Sequence, residues 1–106
     1  MSENNLPINQ NWVDADGNPD GGISTGIGFT IHWQRGALDK AGRNGAFLIE
    51  VLHSCRHQIE TYQSGRFACR ENADALNALN TCIEELESRK NRRQIQGVLG
   101  THETDK

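Results

Sequence analysis

Near Asn44 the spacing of apolar residues changes, and that change limits the folds open to the chain. Before it, Ile27, Phe29, Ile31 and Trp33 alternate with Gly28, Thr30 and His32, the period of two expected of a half-buried strand. After it, Leu48, Val51, Leu52, Cys55, Ile59 and Tyr62 fall on one face of a helix, with Asn44 placed to cap its N-terminus. "QSGR" at Gln63–Arg66 interrupts the pattern. A second helix then runs from about Ala68 to Gln94 or Ile95, stopping before Gly97. Two helices joined by so short a break predict an antiparallel αα-hairpin. The fold class is therefore α+β: a small N-terminal antiparallel β region, then a long C-terminal αα-hairpin. One domain spans 1–106, made of a β and loop region (1–43), the hairpin (44–96) and a tail (97–106). Within the first part, Met1 to Gly22 is rich in Asn, Asp and Gly and reads as loops with "NWV" as a short strand candidate, while "RGALDKAGRNG" reads as a turn-rich connector.

One residue of the second helix sits badly. Cys69, Leu76, Leu79, Ile83 and Leu86 form a stripe when turned through about 100° per residue, and Asn72 lies near its centre. A satisfied core amide and a ligand contact are both open readings. The core itself must be modest: the chain has 106 residues, of which 35% are hydrophobic and 6% aromatic. A domain of this size and composition calls for reinforcement. Disulfides are not expected to supply it, because Cys55, Cys69 and Cys82 are odd in number and lack a CxxC pair. They read as small apolar packing residues in a reducing compartment. Oligomerisation, with hairpins of several subunits packing together, is the remaining route. A ligand pocket shared between chains then becomes an expectation.

With 11 basic and 14 acidic side chains the formal charge is −3, which argues against a general DNA or RNA binder. No signal-peptide pattern is present and no apolar run approaches about 18 residues, so a soluble, cytoplasmic protein without a membrane partner is expected. The densest charge feature is "ESRKNRRQ". Cations near a helix C-terminus favour the macrodipole, and Glu85 with Arg89 is a favourable i,i+4 pair. Arg89 and Arg93 also stand one helical turn apart on one face, beside Leu86. Two such guanidiniums make a fork for phosphate oxygens, since each binds bidentately and neither loses its charge. Tyr62 is open between a rim aromatic and a platform for a nucleobase, worth about 1–3 kcal/mol per stacked base. Thr101 adds a hydroxyl in "LGTHE". His53 and His57 have the four-residue spacing of helical metal ligands, but they lie opposite the apolar stripe and lack a zincin glutamate, so no metal is expected. "GGISTGIG" precedes a strand and makes a poor phosphate loop. Nothing nominates a nucleophile or a general base. The chain reads as a binder, with no catalytic residue and no cofactor.

Three stretches, "IHWQRGALDKAGRNGAF", "IETYQSGRFACRENADAL" and "LESRKNRRQIQGVLGTHE", resemble the phage Thoeris anti-defence sponge family of the first type. The resemblance runs from Ile31 to Glu103, and its helical hairpin is shared with phage anti-CBASS cyclic-nucleotide sponges. It implies a small β part, a helical hairpin, and homo-oligomers built from dimers, up to a hexamer. It also implies that the protein holds immune signalling nucleotides, chiefly glycocyclic ADP-ribose, away from their effectors without cleaving them. Some members bind cyclic oligonucleotides at a separate site. By this resemblance Tyr62 is the base-stacking aromatic, Asn72 the ligand-binding asparagine, and Arg89 and Arg93 the late basic positions. Arg70 and Thr101 match further motif positions. The chain departs from the pattern at Glu85, where many members carry an aromatic, and at Arg66, where many carry proline. A sponge for CBASS cyclic di- or trinucleotides and an αα-hairpin regulator are the alternatives.

Overall fold

The computed structural model describes residues 6–97. The chain divides after Phe47 into two compact units, a sheet and a helical unit, in the α+β order that the change of apolar period predicts.

The sheet has three antiparallel strands in the order β1-β2-β3: β1 (Ile8–Val13), β2 (Pro19–Gly26) and β3 (Phe29–Trp33). β1 contains the "NWV" candidate, and β3 is the later part of the alternating segment. The first half of β2 was expected to be loop, as part of Met1 to Gly22, and the correction has a physical cause. "PDGGISTG" carries a single large apolar residue, Ile23, so alternation cannot mark it. It is a strand because it lies between two others and its backbone groups are used on both edges. Its glycines fit that central place: a Cβ at Gly22 would run into the carbonyl oxygen of Gln10 on β1. At the β2–β3 turn, Gly28 supplies the positive φ of 91°. Asp14 ties the β1–β2 turn, its Oδ1 accepting from the Asp16 and Asn18 amides at 2.9 Å each.

Successive strand residues face opposite sides of the sheet. On one side Trp33 Nε1 donates to Ser24 Oγ at 2.7 Å, and Ser24 is buried. On the other the hydroxyls of Thr25 and Thr30 are 3.1 Å apart. The connector after β3 holds a four-residue helix, α1 (Leu38–Ala41), and is pinned by side-chain amides. Gln34 donates to the Gly42 carbonyl and accepts from the Asn44 and Gly45 amides. Asn44 accepts from the Arg35 amide at 2.8 Å and donates to the Arg35 carbonyl at 2.7 Å. Asn44 is therefore not the N-cap of the following helix. Its amide closes the connector, and the next helix starts four residues later.

The helical unit contains α2 (Leu48–Gln63) and the 26-residue α3 (Arg70–Ile95). The two helices pack on each other. Arg56 Nη1 donates to Asn80 Oδ1 at 3.4 Å, while His53, earlier in α2, lies 3.7 Å from Glu87, later in α3. Contacts that step back along one helix step forward along the other. On α3 the stripe is as expected in part: Asn72, Leu76, Leu79 and Leu86 are half-buried and Ile83 is 3% exposed. Cys69 is not on it. On α2 the half-buried positions include Leu52, Arg56, Ile59 and Gln63, so two polar side chains share the face that meets α3. That rotation leaves Cys55 and Tyr62 exposed.

The reading of the cysteines is corrected too, since all three thiols are exposed in the single chain. So is that of His53, which is half-buried rather than solvent-facing. Its Nδ1 lies 2.7 Å from Arg56 Nη2. A guanidinium only donates, so Nδ1 accepts and the ring proton sits on Nε2, towards Glu87. Among the described residues, no cluster of three metal-ligand side chains occurs and no helix is long and apolar enough to cross a membrane.

Candidate functional site

The turn between α2 and α3 gathers Tyr62, Arg70 and Asn72. Its shape is set by Gln63, whose Oε1 accepts from the Cys69 amide at 2.8 Å and whose Nε2 donates to the Cys69 carbonyl at 3.1 Å. One side chain thus closes the loop across six residues. Cys69 is the N-cap of α3, with extended backbone and Sγ accepting from the Asn72 amide at 3.4 Å. Asn72 is therefore placed twice over: its backbone by the cap, and its side chain by lying on the half-buried stripe in the first turn of α3. Tyr62 is 52% exposed at the end of α2. Arg70 is highly exposed and reaches Glu71 at 3.3 Å and Asp74 at 3.9 Å, surface pairs worth about 0–1 kcal/mol each that leave a guanidinium able to exchange partners.

Arg89 and Arg93 stand at the other end of the same helix. Asn72 and Arg93 are 21 positions apart on α3, which at about 1.5 Å per residue puts them about 31 Å apart along the axis. Three heptads of drift, about 20° each, turn Arg93 about 60° from Asn72 around the helix. Arg93 is 6% exposed, whereas Arg89, one turn earlier, is exposed. Both make interactions within the protein. The two arginines of the expected fork thus begin from different environments, one enclosed and one open. Thr101 lies outside the described residues.

The five sequence-predicted residues that are described therefore do not form one cluster within a chain. Tyr62, Arg70 and Asn72 collect at the turn, and Arg89 and Arg93 lie roughly one helix length away. Sequence reasoning passed over three residues at the turn: Gln63, Arg66 and Phe67. Gln63 has no local signature, because its partner is a backbone six residues on. Phe67 did carry a signal. A large aromatic directly after "QSGR" is out of keeping with a turn, where Gly, Pro, Asn, Asp and Ser prevail.

No family model matches the chain. A protein of Bacillus phage SBSphiJ7, described as Thoeris anti-defense 1, is 32% identical over 74 residues, which cover 70% of this chain. The chain belongs to the Thoeris anti-defence family. It spans about half of that relative's length, the match covering 52% of it. At the α2–α3 turn the exposed Tyr62 ring and the half-buried Asn72 side chain have the chemistry to hold a flat, polar molecule. An aromatic face stacks a base, and an amide both donates to and accepts from a base edge or ribose.

Proposed function

We propose that the protein binds and sequesters a cyclic ADP-ribose-type signalling nucleotide, of which glycocyclic ADP-ribose is the expected form, without cleaving it. The observation that carries this reading is the composition of the α2–α3 turn in a Thoeris anti-defence chain. Within Tyr62–Asn72 stand an exposed ring, an arginine paired among the described residues with surface carboxylates, and an asparagine whose backbone is fixed by a helix cap. Tyr62 stacks the adenine, Asn72 reads a polar edge, and Arg89 and Arg93 take the diphosphate.

The separation of about 31 Å along α3 means that one compact nucleotide does not touch both groups in one chain. We therefore place the site between two copies whose hairpins run in opposite directions, the turn of one beside the arginines of the other. The burial data support such an assembly. Among the described residues only Ile83 stands as a fully buried apolar side chain, while Ile8, Val13, Ile27 and Ile95 are each more than 60% exposed. A monomer with so little enclosed apolar surface is poorly stabilised, and packing against further copies restores the missing burial. A homo-oligomer built from dimers is the assembly we propose.

Titration calorimetry with cyclic ADP-ribose isomers and, in parallel, cyclic di- and trinucleotides tests the ligand class. Binding is expected for the first set, and binding confined to the second would replace this reading with the cyclic-oligonucleotide one. Heating the complex should release the ligand chemically unchanged. Recovery of a hydrolysed product would mark the protein as an enzyme.

A further inference from the structure

Phe67 is 72% exposed in the loop that joins α2 to α3, and nothing in the packing of the helical unit accounts for it. The Arg66 guanidinium lies 4.9 Å from the centroid of its ring, within cation–π range. One face of the ring thus carries a cation, and the rest is open to solvent. Arg66 differs from its neighbour Arg70 in having no carboxylate against it among the described residues, whereas Arg70 is held by Glu71 and Asp74. The loop is also rigidly built. Besides the Gln63 clasp on Cys69, Ser64 Oγ donates to the Thr61 carbonyl at 2.8 Å and the Ala68 amide to the Gly65 carbonyl at 3.2 Å. Such a loop holds Phe67 in place before any ligand arrives, so less conformational entropy is lost on binding.

We propose that Phe67, backed by Arg66, is a second stacking platform for a purine base of the bound nucleotide, with Arg66 also meeting one of its phosphates. This rests on the reading that the α2–α3 turn is a nucleotide site, and it adds to Tyr62 a second aromatic that sets which nucleotide is held. The chemistry favours this occupant over an apolar partner surface. A purine can stack on the ring face that Arg66 leaves open, and the positive charge beside the ring suits a phosphate, whereas an apolar interface would have to desolvate that guanidinium. The single adenine of a cyclic ADP-ribose-type ligand has two faces, one for Tyr62 and one for Phe67.

The test is calorimetry of the full chain with cyclic ADP-ribose and with ADP-ribose as probes, alongside sedimentation and thermal melting of each variant without ligand. Phe67→Leu, which keeps an apolar side chain but removes the stacking face, is expected to weaken cyclic ADP-ribose binding about 5- to 100-fold, with melting temperature and oligomer size unchanged. Phe67→Trp is expected to retain affinity, and the emission of the indole it introduces should be quenched by the base. Arg66→Gln should weaken binding less and flatten its dependence on salt. If Phe67→Leu binds as the parent does while Tyr62→Leu does not, the platform is overturned and the site reading stands. If Phe67→Leu changes the oligomer but not the affinity, the residue is an interface contact and the proposal fails. If the parent protein binds neither probe, both readings fall.

Discussion

Cys69 occupies a position where serine, threonine, aspartate or asparagine is the usual choice. A thiol is a weak acceptor, and its bond to the Asn72 amide is long at 3.4 Å. Cys69→Ser, which keeps the size and supplies a stronger acceptor, is expected to stabilise the helical unit by about 0.5–1 kcal/mol, seen as a higher urea midpoint with unchanged slope. The same residue shows why the stripe on α3 was legible only in part. A cysteine at i and leucines at i+7 and i+10 look alike to a helical wheel, yet the wheel has no way to mark where the helix begins. Cys69 lies outside it, in extended backbone with φ −155° and ψ 165°. Asn72, by contrast, was correctly flagged as an amide on an otherwise apolar stripe. The anomaly was visible in the sequence, whereas the cap that holds its backbone was not.

At the scale of elements, both long helices were readable because each repeats its apolar period over several turns. β2 was not, since a strand of "PDGGISTG" owes its state to neighbours on either side rather than to its own side chains. Gly22 tests that account. Gly22→Ala places a methyl against the Gln10 carbonyl oxygen at a residue with φ 145°, and is expected to cost about 1–3 kcal/mol, measured as a lowered urea midpoint. No change would mean that β1 and β2 are not so closely apposed. The face of α2 was misjudged for a related reason. Arg56 and Gln63 are polar by any scale, yet each is half-buried because Asn80, His53 and the Cys69 backbone offer them partners. Hydrophobic periodicity cannot foresee a polar group satisfied by another segment.

For the whole molecule, the distance between the turn and the arginine end of α3 leads to a test that does not need the ligand pose. If the site is shared by two antiparallel copies, Asn72→Ala and Arg89→Ala each abolish binding alone. Mixing and refolding the two variants together should then restore roughly a quarter of the sites, because half of the dimers are mixed and each mixed dimer has one intact site. No restoration would show that Asn72 and Arg89 act within one chain or at independent sites. A melting temperature that rises with protein concentration is the companion expectation for an assembly whose folding is linked to association.

The order of a β region followed by two helices, the stripe on α3 and the anomalous Asn72 all follow from local spacing, because side-chain period and backbone period are tied within each element. The placement of Asn44 in the connector rather than at a helix start, the Gln63 clasp, the exposure of Phe67 and the enclosure of Arg93 were decided by segments meeting in space. Each depends on which distant backbone or side chain offers a hydrogen bond or removes water, and no window of neighbouring residues carries that information.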